Sequence, residues 1–243
     1  MTVFLVGGGP ETVLPGLLAP FLAEARATAP AGRPTRLVLV VAGRRGSGRL
    51  LRPAYRHALD AGRDVEVQPL VLGRGEVVEP GALTAADGIV VGGGRTPGYL
   101  DGLVGAAAGI GSRVRSGTPY LGLAAGAMVA SAAALAGGCR SAGRDVCPEE
   151  SAEDLEEVTV RPGLGLVGFP VDVHTAQAGT LGRTVAVVDT GAAAVAAGLD
   201  EDTCLAVPAG SPDPAEGVVT GRGAVWVVRR SAGGTVVTRR TAG

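Results

Sequence analysis

Apolar residues in this chain come in short, unbroken runs. Residues 2–6 (TVFLV), 36–41 (RLVLVV), 65–72, 88–91 (GIVV) and 120–123 (YLGL) are mostly apolar without strict alternation. A strand with one wet face alternates, so a continuous run predicts a strand covered on both faces. Four of the runs end in small residues: Gly7-Gly8-Gly9, Ala42-Gly43, Gly92-Gly93-Gly94 and Ala124-Ala125-Gly126-Ala127. The Ala- and Leu-rich stretches between them predict helices over 13–29, 50–61, 99–116 and 127–136. This βαβα rhythm predicts an α/β fold, a three-layer sandwich around a mainly parallel central sheet.

The rhythm stops at residues 137–161. That segment is polar and carries Asp145, Glu149, Glu150, Glu153, Asp154, Glu156 and Glu157. It reads as a surface excursion with a short helix over 151–157. Strands over 158–160 and 165–167 follow, then a helix over 176–189. The tail alternates between Gly-rich turns, which predicts C-terminal antiparallel strands over 204–207, 218–220, 224–229 and 235–239. No repeat and no long linker interrupts the chain, so residues 1–243 are expected to form one domain.

Composition narrows the function classes. The chain has 243 residues and is 46% hydrophobic, enough for a sizeable core and too apolar for disorder. Its 22 basic and 23 acidic residues leave no electrostatic footprint for nucleic acid. Cys139, Cys147 and Cys204 form no CxxC pair, which argues against a disulfide scaffold and a structural zinc site. The early glycine triplet lacks the G-x-G-x-x-G spacing of a dinucleotide site, so neither metal nor cofactor is expected. The first residues lack a secretory signal, and Gly122 and Gly126 break the apolar stretch 121–135, itself too short to span a membrane. The expectation is a cytoplasmic protein with no membrane partner.

Four features could carry chemistry. At Gly122–Ala127 a buried strand runs into a helix through small residues, the layout of a nucleophile elbow. Ala124 stands where the nucleophile would be, and the Ala125 N–H would point into an oxyanion hole. Gly92-Gly93-Gly94, followed by Arg95, can bring backbone N–H groups to an anion or can be a plain turn. His174, one of two histidines, ends the strand-like VDVH and could be a general base. A carboxylate of the acidic excursion could orient it, with Asp145, Glu149 and Glu150 as candidates.

Taken in order, these segments resemble the peptidase S51 family, which includes cyanophycinase and peptidase E. GGGRTPGYLDGL at 92–103 is similar to its Gly-rich strand end and helix. PYLGLAAGAMVA at 119–130 is similar to its G-x-S-A-G-A elbow, with Ala124 at the serine. RPGLGLVGFPVDVH at 161–174, GTLGR at 179–183 and GLDEDTCLAV at 198–207 are similar to the segments that follow.

The resemblance implies a class I glutamine-amidotransferase-like fold and a Ser-His-acid hydrolase. Its substrates would be small acidic or Asp-linked peptides. It places the nucleophile position at Ala124 and the base at His174; Glu149 and Glu150 of the acidic excursion stay the candidates for the orienting acid. Oxyanion and substrate contacts would come from Gly93, Gly94, Ala125, Arg95, Asp172, Gln177 and Arg183, with Arg95 and Arg183 clamping a substrate carboxylate. A homodimer is the default partner state. Three departures stand out. The serine is absent, Arg95 replaces a small polar or amide residue, and Ala178 and Thr180 stand where cyanophycin-cleaving members carry arginines. Three readings stay open: a serine peptidase in a Ser-to-Ala trapping form, a natural non-peptidase binding a peptide or metabolite in the same cleft, and a His174-dependent hydrolase or lyase without a covalent step.

Overall fold

The computed structural model describes residues 1–9, 14–42, 57–59 and 64–243. Its centre is a seven-stranded sheet. Five strands are parallel: β1 (Thr2–Val6), β2 (Thr35–Ala42), β3 (Val65–Leu72), β4 (Gly88–Val91) and β5 (Tyr120–Leu123). Late in the chain, β12 (Thr203–Pro208) pairs antiparallel with β1, and β13 (Val218–Gly221) pairs antiparallel with β12. The order across the sheet is β13-β12-β1-β5-β4-β2-β3.

The unbroken apolar runs have a simple cause. Side chains alternate between the two faces of a strand. In β1, β2, β4 and β5 both faces are covered, whereas β3 at the sheet edge is buried only at Val65 and Leu72. Val3, Leu5, Val38, Val40, Ile89 and Val91 enter one core, under α2 (Thr96–Leu103), α3 (Ala107–Arg115) and α4 (Ala125–Val129). Phe4, Val6, Leu37, Leu39, Val41 and Val90 enter the other, under α1 (Leu14–Thr28), which contributes Leu18, Phe21 and Leu22. A layout of helix, sheet and helix results.

A second sheet carries β10 (Val171–Val173), β11 (Val195–Leu199), β14 (Ala224–Ser231) and β15 (Gly234–Thr241), in that order. Beside it, α5 (Leu181–Asp189) packs on β11 and β14 through Val188, Ala196 and Val228. β10 and β11 run parallel, with Val173 opposite Leu199.

Several expected elements differ. The helix over 127–136 stops at Val129, and Ala133–Gly137 is instead β6, paired antiparallel with β9 (Thr159–Pro162). Alanine favours helix, but the Ser131 hydroxyl bonds both backbone groups of Ala133 and competes with continuation. The helix over 99–116 is two helices joined by a 3₁₀ turn at Val104–Ala106. In the acidic excursion the only helical turn is 3₁₀, at Glu149–Ser151, beside a short hairpin of β7 (Arg140–Ser141) and β8 (Arg144–Asp145). Residues 165–167 contribute one bridge, Ser131 to Val167, and no strand. The helix over 176–189 begins only at Leu181. β11 was not expected at all. The helix expected over 50–61 lies outside the described residues except for 57–59, which are helical.

Candidate active site

The elbow forms as its residues predict. Ala124 follows β5 and precedes α4 with φ 50° and ψ −111°, a conformation that L-residues rarely hold. Its N–H donates to Val6 O at 2.9 Å. The neighbouring glycines are required by contact: a Cβ on Gly122 would lie 2.4 Å from Gly126 O, and one on Gly126 would lie 2.1 Å from Val91 O. The start of α4 is therefore pressed onto the carboxyl end of β4, beside Gly92–Gly94. The Ala125 N–H opens α4 and has no acceptor within its own helix. Gly93 O accepts the Tyr99 hydroxyl at 3.1 Å, which fixes the glycine turn.

His174 follows β10 with φ 53°. Its N–H donates to Gly7 O at 3.1 Å. The imidazole lies against Gly8, where a Cβ would come within 2.2 Å of His174 Cε1. The early glycine triplet thus serves as a cradle for the histidine ring. The ring is half-buried, and Nδ1 stands 2.8 Å from Glu201 Oε1. A carboxylate only accepts, so this contact places a proton on Nδ1, and in the neutral ring Nε2 is the acceptor.

The acid partner differs from expectation. Glu149 and Glu150 line the same cavity as His174, a space of about 600 Å³, but the carboxylate bonded to the ring is Glu201. Asp145 lies on the neighbouring cavity. The reason is register. The parallel pairing of Val173 with Leu199 carries the residues after each strand, His174 and Asp200–Glu201, to the same sheet end. Gln177, expected to touch substrate, accepts the Glu201 N–H at 2.9 Å through Oε1 and steadies that turn.

Asp172 and Arg183 are also reassigned. Asp172 is fully buried and accepts Arg183 Nη2 at 2.7 Å and Nε at 2.9 Å. Burial works against the guanidinium charge, but the charge and hydrogen bonds of Asp172 outweigh it and hold Arg183 above its ordinary pKa. Its Nη1 donates to the Ser151 and Gly138 carbonyls, tying the acidic excursion to β10. Arg183, expected to clamp a substrate carboxylate, lines the cavity, and its Nε, Nη1 and Nη2 all donate within the chain. Arg95 lines the cavity, exposed, ion-paired with Asp154 and donating to Glu153 O at 2.6 Å.

Glu153 adds a carboxylate that the sequence reading did not single out. It holds φ 59° and accepts Thr96 Oγ1–H at 3.0 Å and Thr96 N–H at 3.3 Å at the start of α2. Burial raises its pKa, only partly offset by the Thr96 hydrogen bonds and the charges of Arg183 and Arg95. The cysteines offer no substitute nucleophile at the elbow. Burial pushes the Cys204 thiol up to about 12. It also raises Cys147, which lines the neighbouring cavity with Cys139. His57 is exposed. Among the described residues no group of three or more His, Cys, Asp or Glu could hold a metal ion, and no helix is long and apolar enough to cross a membrane.

Comparison with known proteins gives a family and a similar fold. A model of peptidase family S51 matches residues 55–209, a span that includes Ala124, His174 and Glu201. A crystal structure of a provisionally assigned peptidase E protein from Listeria monocytogenes EGD-e has a similar fold. Its TM-score is 0.51 at 17% identity, covering 95% of this chain and 98% of that one. No curated protein sequence matches the chain significantly.

Proposed function

The chain belongs to peptidase family S51, and we propose that its cleft is a serine-hydrolase-type peptide site in which Ala124 occupies the nucleophile's place. In this reading His174 Nε2 is the general base, and Glu201 holds the Nδ1 proton and would stabilise the imidazolium. The N–H groups of Ala125 and Gly93 serve a developing oxyanion. Ala124 has no atom that can attack a carbonyl. The chain as written therefore forms no acyl intermediate, and it binds its peptide without covalent turnover. The substrate class is a small acidic or Asp-linked peptide, of the kind a dipeptidase or exopeptidase accepts.

The observation that carries this reading is the 2.8 Å contact between His174 Nδ1 and Glu201. A base and its orienting acid are kept together, and the His174 N–H bonds Gly7 O beside the Val6 carbonyl that anchors the strained bend at Ala124. A second reading, a non-peptidase that binds a peptide or metabolite in this cleft, draws support from Arg95 and Arg183. Both are committed to intramolecular carboxylates, Asp154 and Asp172.

The test is Ala124→Ser, assayed on Asp-Xaa and β-aspartyl dipeptides beside the unaltered chain. Hydrolysis by the serine form alone supports the first reading. Binding without hydrolysis in either form supports the second. Turnover by the unaltered chain that His174→Ala abolishes would replace both with a mechanism in which His174 activates water.

A further inference from the structure

We infer that Asp200 is a positioning residue for the His174–Glu201 pair; the inference rests on the reading of that pair given above. Asp200 follows β11 and precedes Glu201, and it is buried. Three N–H donors converge on its carboxylate. Oδ1 accepts Ala176 N–H at 3.0 Å and Trp226 Nε1–H at 2.8 Å, and Oδ2 accepts Ala224 N–H at 2.9 Å. No cation pairs with it among the described residues, so its contacts are directional hydrogen bonds rather than an ion pair.

Those bonds join the segments that hold the site. Ala176 lies two residues after His174, and Ala224 and Trp226 begin β14. The turn after His174 is fastened to the end of β11 in succession. Thr175 donates its N–H and its hydroxyl to Leu199 O, Asp200 takes Ala176 N–H, and Glu201 N–H reaches Gln177. The backbone of Asp200 also packs against the residue that anchors His174. Gly7 O accepts the His174 N–H, and a Cβ on Gly7 would lie 2.1 Å from Asp200 O. Gly223 leaves room on the other side, where a Cβ would lie 2.6 Å from Asp200 Cβ.

The chemistry specifies aspartate. A carboxylate accepts on both oxygens, whereas an asparagine turns one of them into an NH₂. That NH₂ would face either Ala224 N–H or the Ala176 and Trp226 donors, so one side of the junction loses its bonds. The turn bearing His174 would then loosen from the turn bearing Glu201 with neither of those residues altered.

The deciding readout is exchange with water of the imidazole Nδ1 proton of His174, followed by NMR in the unaltered chain and in variants. In Asp200→Asn that proton is expected to exchange about tenfold faster or more, as the loss of one buried hydrogen bond allows. Leu18→Ala, in the core on the opposite face of the sheet, weakens the fold without touching the junction and should leave the exchange unchanged. In the Ala124→Ser background, Asp200→Asn is expected to lower kcat with KM kept. Unchanged imidazole exchange in a folded Asp200→Asn overturns the inference. If that variant does not fold, Trp226→Phe, which removes one of the three donors, decides in its place: faster exchange supports the inference and unchanged exchange overturns it. Exchange that Glu201→Gln also leaves unchanged would instead remove the His174–Glu201 reading.

Discussion

Ala124 and His174 hang from consecutive carbonyl groups of one chain segment. The N–H of Ala124 donates to Val6 O, and the N–H of His174 donates to Gly7 O. Both residues hold positive φ, 50° and 53°, immediately after the strands β5 and β10. The end of β1 therefore fixes the backbone of residues 124 and 174 together. Strain at both places is held by those bonds and by tight glycine contacts.

Relieving the strain at the elbow should stabilise the fold. Glycine accepts the Ala124 conformation without a Cβ penalty, so Ala124→Gly is expected to raise unfolding stability by about 1 kcal/mol. Urea denaturation at neutral pH measures it. A loss of stability would show that Ala124 is not strained.

Filling the histidine cradle should disable the site. A methyl at Gly8 would lie 2.2 Å from His174 Cε1, so Gly8→Ala must displace the ring. Gly75 also has positive φ but nothing within 4 Å of its missing Cβ, which makes Gly75→Ala the control for backbone strain alone. In the Ala124→Ser background, Gly8→Ala is expected to abolish peptide hydrolysis, while Gly75→Ala keeps it at a modest stability cost.

The Arg183 contact with Asp172 should register in stability rather than in ligand affinity. Removing one partner of a buried ion pair strands the other charge, so Arg183→Met is expected to cost about 3–5 kcal/mol. The double variant Asp172→Leu/Arg183→Met should recover most of that loss, because no bare charge is left. Urea midpoints of the three proteins check both statements. An Arg183→Met variant of parental stability with weakened peptide binding would return Arg183 to the ligand.

Glu153 should make stability fall as pH rises. Its pKa is raised in the fold, chiefly by burial. Its contribution is therefore fully present below the ordinary glutamate pKa and is lost as pH climbs through the raised value. Glu153→Gln should match the parent near pH 4 and gain on it toward pH 7. Asp87 has the opposite sign. Burial pushes its carboxyl up, but the Arg33 hydrogen bond, the Arg36 backbone N–H and both charges outweigh that and lower it. Its contribution is present above the ordinary aspartate pKa and is lost as pH falls through the lowered value. Asp87→Asn should flatten the acid limb of the stability curve. Urea midpoints from pH 3 to 8 test both, and parallel curves for parent and variant would refute either.

The chain itself determined the parallel sheet and the elbow, because both rest on local chemistry. Unbroken Val, Ile and Leu runs need cover on two faces, and Gly122 and Gly126 are small because backbone touches backbone there. Propensity misled where a tertiary bond intervened, as at Ala133–Gly137, where the Ser131 hydroxyl and pairing with β9 override the helix preference of alanine. Only the tertiary structure decided which acid meets His174 and what Arg183 is for. Glu201 lies 27 positions from His174 and follows a strand that the pattern of residues did not reveal. Nearby Glu149 and Glu150 look equally eligible in the sequence. The parallel register of β10 and β11 makes the choice, since it sets which residues leave the two strands side by side. Likewise only the folding of α5 over β10 brings Arg183 onto the buried Asp172, a pairing that neither residue announces in the sequence.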